Sequence, residues 1–407
     1  MHARARLCAL TALLATASVL PLHLAHAANR PPAGASPPAG VRQIPDAIGG
    51  RYIVVLDDRT AAAGSPAAAA EHLTRLHGGT VRHTYGTVLH GYAADMTAEQ
   101  ASATAADPTV AYVEQDAAQH SSTTQSNPPS WGLDRIDQRT LPLDKSYTYA
   151  TTASNVTVYL VDSGLRTTHT QFQGRASIGV DEVGDGRGGQ DCLGHGTHVA
   201  GTVGGKDYGV AKGVKLVAVR VTDCHDSAGT SAIIAAADWI TAHAARPAVV
   251  NMSLNSTSVI SSEDTAIKKS IAAGITWVVS SGNKNTDACR NSPGDIAEAV
   301  VVNNADSSDK RRSDSDYGRC TDLFAPGTGI NSAWNSGDTA TKALSGTSMA
   351  APHVTGAAAL WVSAHPDARP ADVQRQLTDT ATQGAVSNAG SGTPNRLLYT
   401  GATTARN

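Results

Sequence analysis

The eight residues Ser345-Gly-Thr-Ser-Met-Ala-Ala-Pro352 place one serine among small side chains, at the point where a loop turns into a helix. From Met349 to His365 the chain is rich in alanine and carries no charge before Asp367, a pattern that predicts a buried helix. The first turn of such a helix has unpaired backbone N–H groups and the positive end of the helix dipole. Ser348 stands there, so negative charge developing beside its hydroxyl is favoured. Many serines at this position only cap the helix, and the stretch by itself leaves both roles open.

A serine hydroxyl becomes a nucleophile when a base takes its proton and an acid orients the base. Two further stretches supply candidates. Val156-Thr-Val-Tyr-Leu-Val-Asp-Ser-Gly164 is an apolar, β-branched run that predicts a buried parallel strand with Asp162 at its carboxyl end. Ligand sites in open α/β sheets gather at that edge. Gly194-His-Gly-Thr-His-Val-Ala-Gly201 opens a second small-residue helix with His195 at its mouth, and an imidazole that titrates near neutrality suits a general base. His198 raises the question of zinc. Common metalloproteases use His-Glu-x-x-His on a helix, and no glutamate stands here, so His198 reads as a packed or hydrogen-bonded structural residue.

Asp162-Ser-Gly, His195-Gly-Thr-His-Val-Ala-Gly and Gly346-Thr-Ser348-Met-Ala-Ala-Pro, in that order, resemble the subtilisin-like serine proteases, nearest the proteinase K branch and its aqualysin-like members. The resemblance runs through essentially the whole chain after about residue 123. It implies a monomeric secreted endopeptidase that acts on protein and peptide substrates through an acyl-enzyme on Ser348. His195 would be the base and Asp162 its orienting acid, with no cofactor for catalysis. Ser281-Gly282-Asn283 matches the family's Ala-Gly-Asn, so the Asn283 amide would join the Ser348 N–H as the oxyanion hole. Ser253-Leu254-Asn255-Ser256 and Ser227-Ala228-Gly229-Thr230 match the two backbone edges that take an extended peptide as an added strand. The chain departs from the family where Asn255-Ser256 replace a glycine pair and where Ser280-Ser281 replace alanines. Those side chains would narrow or polarise the pocket for the P1 residue, the one just before the scissile bond.

Residues 1–27 read as a secretory signal, with Arg4 and Arg6, an apolar stretch from Leu7 to Leu24, and Ala25-His-Ala27 as cleavage site. Pro21, His23 and His26 interrupt the run and argue against a membrane anchor. Cys8 falls inside it and leaves Cys192, Cys224, Cys289 and Cys320. An even number in an exported chain predicts disulfides, and four cysteines allow three pairings. The resemblance selects Cys192 with Cys224 and Cys289 with Cys320.

After a Pro/Ala/Gly-rich linker (28–49), residues 50–121 predict a small α+β unit: a strand at Arg51–Asp57, a helix over Ala61–Leu76, then extended segments near 77–85, 91–96 and 109–114. It resembles the propeptide of these proteases, a folding chaperone and inhibitor of its own enzyme. The polar stretch from His120 to Ser130 would be the processing junction. Residues 122–407 form the catalytic part, a doubly wound, mostly parallel α/β fold. Lys215–Val221, Ala248–Leu254, Ile275–Ser280 and Glu298–Val302 read as strands, and Ser231–Arg246 and Ser262–Ala273 as helices.

Two calcium sites of proteinase K relatives have counterparts: Asp322 with the carbonyls of Ala297 and Ala299, and Asp134, Asp137, Gln138 and Asp144, with Ser146 where an asparagine ligand can occur. Solvated surface carboxylates are the competing reading. The formal charge of −3 over 407 residues gives no reason to expect nucleic acid or anionic membrane as partner. Two rival functions are a non-catalytic binding protein on the same scaffold, which predicts loss of a triad member or of Asn283, and a precursor that persists as an inactive complex with its propeptide.

Overall fold

A computed structural model describes residues 40–44, 47–57, 64–117 and 122–401, in two units that divide between Asp116 and Ala117. The expected signal, most of the linker and residues 120–121 of the expected junction lie outside the described residues. Among the described residues no helix is long and apolar enough to cross a membrane.

The first unit is a five-stranded sheet in the order Val41–Arg42, Val110–Ala117, Ala47–Leu56, Gly91–Asp95, Thr80–Tyr85. Strand structure therefore reaches back into the expected linker, because Val41 and Arg42 pair with Val113 and Glu114. Ala70 and Leu73 of the helix Pro66–His77 and Ala101 and Ala105 of the helix Ala98–Ala105 close a core with Val54, Tyr92 and Val113. The first helix starts at Pro66, where the Ser65 hydroxyl accepts from Ala67 N–H and proline needs no donor.

The second unit is built on strands β1 (Thr157–Asp162), β2 (Ala176–Asp181), β3 (Lys215–Arg220), β4 (Ala248–Met252), β5 (Thr276–Ser280), β6 (Val300–Ala305), β7 (Leu323–Pro326), β8 (Thr382–Gln383) and β9 (Arg396–Leu397). Their order is β8-β9-β7-β6-β5-β4-β1-β3-β2, and only the β8–β9 pair is antiparallel. Successive strand residues face opposite sides. Val158 and Leu160 accordingly join one core with helices α1 (His195–Gly204) and α4 (Thr347–Ala364), and Tyr159 and Val161 join the other with α2 (Thr230–His243) and α3 (Ser261–Ala272). This is the doubly wound α/β fold, with helix α5 (Pro370–Thr380) following α4. From β1 the chain goes out to the edge strand β2, returns through α1 to β3 beside β1, and then crosses through α2 to β4 on the other side of β1. The carboxyl end of β1 is thus the switch point where such sheets open a crevice.

In the second unit the predicted elements recur with ends shifted by at most three residues, whereas in the first the strand expected at Arg51–Asp57 starts at Ala47 and the helix expected from Ala61 starts at Pro66. The strand expected over Glu298–Val302 runs from Val300 to Ala305 instead. The edge strand β2 was not predicted, because Ala176-Ser-Ile-Gly-Val-Asp181 lacks the long apolar run of a central strand. The α1 helix docks tightly: a Cβ on Gly196 would press into the carbonyl oxygen of Gly164 and come within 3.2 Å of Asp162 Oδ1. Backbone on one side and a buried carboxylate on the other cannot step aside. Gly196→Ala is expected to cost about 1–3 kcal/mol by overpacking, a fall in Tm of roughly 2–4 °C per kcal/mol. Thermal unfolding followed by circular dichroism checks it, and an unchanged Tm contradicts the close docking.

Candidate active site

Asp162 ends β1 almost fully buried, 1 % exposed. Its two oxygens lie 2.8 and 3.0 Å from His195 Nδ1, and Ser163 N–H donates to Oδ1 at 2.7 Å. Burial by itself would lower the pKa of His195, but attraction to the Asp162 carboxylate and the hydrogen bond to it outweigh burial and leave it above the ordinary value. His195 is the first residue of α1, and the preceding Gly194 sits at φ 99° and offers no side chain to cap the helix. Asp191 does that work. Its carboxylate takes the N–H groups of Leu193, Gly194 and Thr197 at 3.0, 2.7 and 2.9 Å and the hydroxyls of Thr197 and Ser163 at 2.6 and 2.9 Å. Ser163 Oγ in turn accepts Gly196 N–H at 2.9 Å. The loop after β1 and the mouth of α1 are thereby tied together around one carboxylate. Sequence reasoning missed Asp191; an aspartate three residues before a glycine at a helix start was the available signal.

Two more supports converge on the same loop. Cys192, next to Asp191, is bonded to Cys224 just beyond β3, and Cys289 is bonded to Cys320, which is the expected pairing. Arg220 ends β3 with no exposed surface; it donates to Ser163 O at 3.2 Å and pairs with Asp181 and Asp185 at 3.1 and 2.6 Å. Its guanidinium hydrogen bonds hold the Asp185 carboxyl down at about 2.

Ser348 is the second residue of α4, which begins at Thr347, two residues earlier than predicted. Pro352 lies inside that helix and has no N–H to give the carbonyl four residues back. That carbonyl belongs to Ser348, and it accepts instead from the Ser253 hydroxyl at 3.0 Å. The Ser348 hydroxyl returns a bond to the Ser253 carbonyl at 3.1 Å. A buried chain holds Ser253 in turn: Thr355 Oγ1 donates to Asn251 Oδ1 at 2.8 Å and Asn251 Nδ2 donates to Ser253 Oγ at 3.0 Å. Ser348 and His195 line one cleft of about 520 Å³, and the hydrogen bond of the Ser348 hydroxyl goes to the Ser253 carbonyl.

The same cleft is lined by Ser227, Ala228, Ser253, Leu254, Asn255, Ser256, Gly282 and Asn283, whereas Gly229, Ser280 and Ser281 do not reach it. Asn283 Oδ1 accepts from Thr347 N–H at 2.8 Å and from its hydroxyl at 3.1 Å. The amide oxygen is thus engaged within the chain, and Asn283 and Ser348 line the same cleft. Asn255 and Ser280 grip each other: Ser280 Oγ donates to Asn255 Oδ1 and Asn255 Nδ2 to Ser280 O, both at 2.6 Å. Their polar atoms are spent on each other, and the Ser256 hydroxyl is held by the carbonyls of Ser258 and Ser292. Gly282 sits at φ 114° against the buried carboxylate of Asp316, whose oxygens take the N–H groups of Lys284 and Thr286 and the Asn291 amide. Asp316 is a second supporting carboxylate that the sequence reading overlooked. His198 is packed, with Nε2 3.0 Å from the carbonyls of Ile330 and Lys342 and its pKa lowered to about 4, chiefly by burial.

The two calcium matches behave differently. Asp322 Oδ1 and the carbonyls of Ala297 and Ala299 do converge, but on Gln374 Nε2 of α5, at 3.1, 3.0 and 3.0 Å. The amide nitrogen takes the place a cation would need, so with Gln374 so placed these residues do not fit an ion. At the other match, Asp134 Oδ1 and Asp137 Oδ1 are buried without a donor, and burial lifts the Asp137 carboxyl to about 7. Orphaned carboxylate oxygens of this kind suit a hard cation. Gln138 and Asp144 are engaged locally: Gln138 Nε2 donates to Thr140 O and Pro142 O, and Asp144 Oδ1 accepts from Ser146. Among the described residues no three His, Cys, Asp or Glu side chains are grouped closely enough to hold a metal as they stand.

Comparison with known proteins agrees with this architecture. The Subtilase family profile matches residues 153–398, and the Peptidase inhibitor I9 profile matches residues 51–121. The chain is 46% identical to an extracellular serine proteinase of Thermus sp. (strain Rt41A) over 93% of its own length and 97% of the relative's. It is 38% identical to alkaline serine exoprotease A of Vibrio alginolyticus, over 96% and 76%. A crystal structure of a cold adapted subtilisin-like serine proteinase superposes with a TM-score of 0.64 at 45% identity, covering 66% of this chain and 97% of the other. The chain therefore belongs to the subtilase family of serine proteases, with a peptidase inhibitor I9 domain as its N-terminal unit.

Proposed function

We propose that the chain is the precursor of a secreted, monomeric serine endopeptidase that removes its own N-terminal inhibitor domain. The observation that supports it most is the buried Asp162–His195 pair in one cleft with Ser348, beside an Asn283 amide whose oxygen is already tied down. Rotation about the Ser348 side chain releases its hydroxyl from the Ser253 carbonyl and turns it to His195 Nε2. The oxygen attacks the scissile carbonyl while the imidazole takes the proton; Asp162 keeps the tautomer and stabilises the imidazolium. The Asn283 amide and the first-turn N–H of Ser348 receive the oxyanion. The imidazolium then protonates the leaving amine, and water, deprotonated by the same ring, releases the acyl group. Subtilases need no cofactor for these steps.

Ser348→Ala is expected to abolish peptide hydrolysis and to remain full length, while the wild type is cut near residues 119–124. Mass spectrometry of both secreted chains reads this. Activity retained by Ser348→Ala refutes the nucleophile, and a wild type that stays uncut and inactive favours the persistent propeptide complex.

Because His195 must be neutral to accept the proton, kcat/KM rises with pH through its raised pKa. Removing the charge that raises it, in Asp162→Asn, is expected to move the acid limb to lower pH and to cut kcat by about 10⁴. A pH–rate profile with the limb unmoved contradicts the coupling.

Calcium, where it stabilises the fold, is held by Asp134 and Asp137, while Gln374 replaces it at the other match. A chelator is therefore expected to lower the Tm of the wild type and to leave that of Asp137→Asn unchanged. Gln374→Ala is expected to gain a second calcium response. A chelator without effect on the wild type refutes the first assignment.

A further inference from the structure

Part of the cleft lining takes no part in the proposed reaction. Met252 at the end of β4, Leu254 two residues on, Thr230 and Ile233 in the first turn of α2, and Ile260 and Glu263 at the start of α3 all contribute to it. Ile233 and Met252 belong to the apolar core that α2 and α3 share. One group in this lining is out of keeping with it. Glu263 is 2 % exposed, yet it lines the cleft and makes no hydrogen bond or ion pair with any described residue.

A glutamate buried to this degree is almost never left unpaired. Burial, helped by repulsion from Asp264 and Asp295, carries its carboxyl up to about 7. Asp226 adds a further acidic side chain to the cleft lining on the α2 side. Lys284 also lines the cleft but forms no ion pair with Glu263, and Lys268 acts on Asp295. Ile233, Met252, Leu254 and Ile260 thus give this part of the lining an apolar character, with one unpartnered acid among them. The side chain this lining matches has an apolar stem and a cationic head.

Resting on the peptidase reading above, we propose that Glu263 is a specificity-determining residue that receives the head of a lysine or arginine of the bound peptide, at one position upstream of the scissile bond. The methylene stem of that residue packs along Ile233, Met252 and Leu254. A cation arriving from the cleft supplies the partner that the chain withholds, and a substrate without one leaves the carboxyl desolvated and unpaired.

The test is a set of internally quenched peptides carrying lysine, arginine, norleucine or glutamate singly at each of four positions upstream of the cut, read as kcat/KM. The wild type is expected to favour lysine or arginine over norleucine by about tenfold at one position, a modest share of what an unpaired buried charge costs. Glu263→Gln should reduce that preference to about twofold or less, and Glu263→Leu should turn it toward norleucine. Circular dichroism confirms that each variant is folded, and either one alone suffices. A wild type that cleaves the peptides with no basic preference, or a preference that survives in a folded variant, overturns this inference and leaves the peptidase reading intact. Hydrolysis of no peptide by the folded, propeptide-free wild type overturns the peptidase reading, and this inference with it.

Discussion

A missing hydrogen bond organises the catalytic unit. Pro352 cannot donate to the carbonyl of Ser348, and a buried carbonyl left unpaired costs about 1–3 kcal/mol. Ser253 supplies the donor, so the strand end at Met252 and the helix start at Thr347 are joined by a pair of reciprocal serine bonds. In most helices a proline in the interior is a defect. Here it frees one acceptor at the residue proposed as the nucleophile, and the acceptor anchors that residue to Ser253, just past the end of β4. The Thr355–Asn251 link keeps the Ser253 hydroxyl aimed, and all of it is sealed from water. In a dry site such bonds are stiff, because an alternative partner is not at hand.

Asp162, Asp316 and Glu263 are buried and Asp191 and Asp322 half-buried, and their surroundings give them different work. Asp191 and Asp316 are wrapped by backbone N–H groups and hold loops; both have a pKa raised by burial, which their donors only partly offset. Asp162 faces an imidazole and lifts its basicity. Asp322 meets an amide. Among these five, Glu263 alone meets nothing from the described chain; Asp316 also lines the cleft, but its oxygens are already taken by the chain's own donors. A carboxylate with fixed donors is structural; one whose partner has to come from outside is a recognition element. The distinction rests on who supplies the partner, and burial by itself does not reveal it.

This is also where sequence reading reached its limit. The strand ending in Asp162, the helices opening at His195 and near Ser348, and the parallel character of the sheet were legible because each depends on local periodicity, small residues and order along the chain. The pairing of Asn255 with Ser280 was not. Both residues were read as added bulk beside a pocket, and only the approach of β4 and β5 makes them partners for each other. Asp191 was hidden for a similar reason, since its role depends on five donors that the turn before α1 gathers around it. Glu263 stands in the first turn of α3, where the helix dipole favours any acid, so its type and place give no sign of a special role. Nothing local marks the turn of α3 that faces the cleft.

Gln374 carries the same lesson one step further. The two carbonyls and the carboxylate predicted as a cation site do meet at a point, so the backbone geometry expected from the resemblance is present. What decides the chemistry of that point is a side chain some fifty residues further along the chain, on α5. An amide N–H₂ and a calcium ion answer the same need, positive charge or partial charge facing converging oxygens. They differ in what they cost and where they come from. The amide is bonded to the chain and is lost only when α5 moves, whereas an ion is lost whenever its free concentration falls. A ligand set can therefore be intact residue by residue while the group it holds has been exchanged, and the exchange is visible only from the fold.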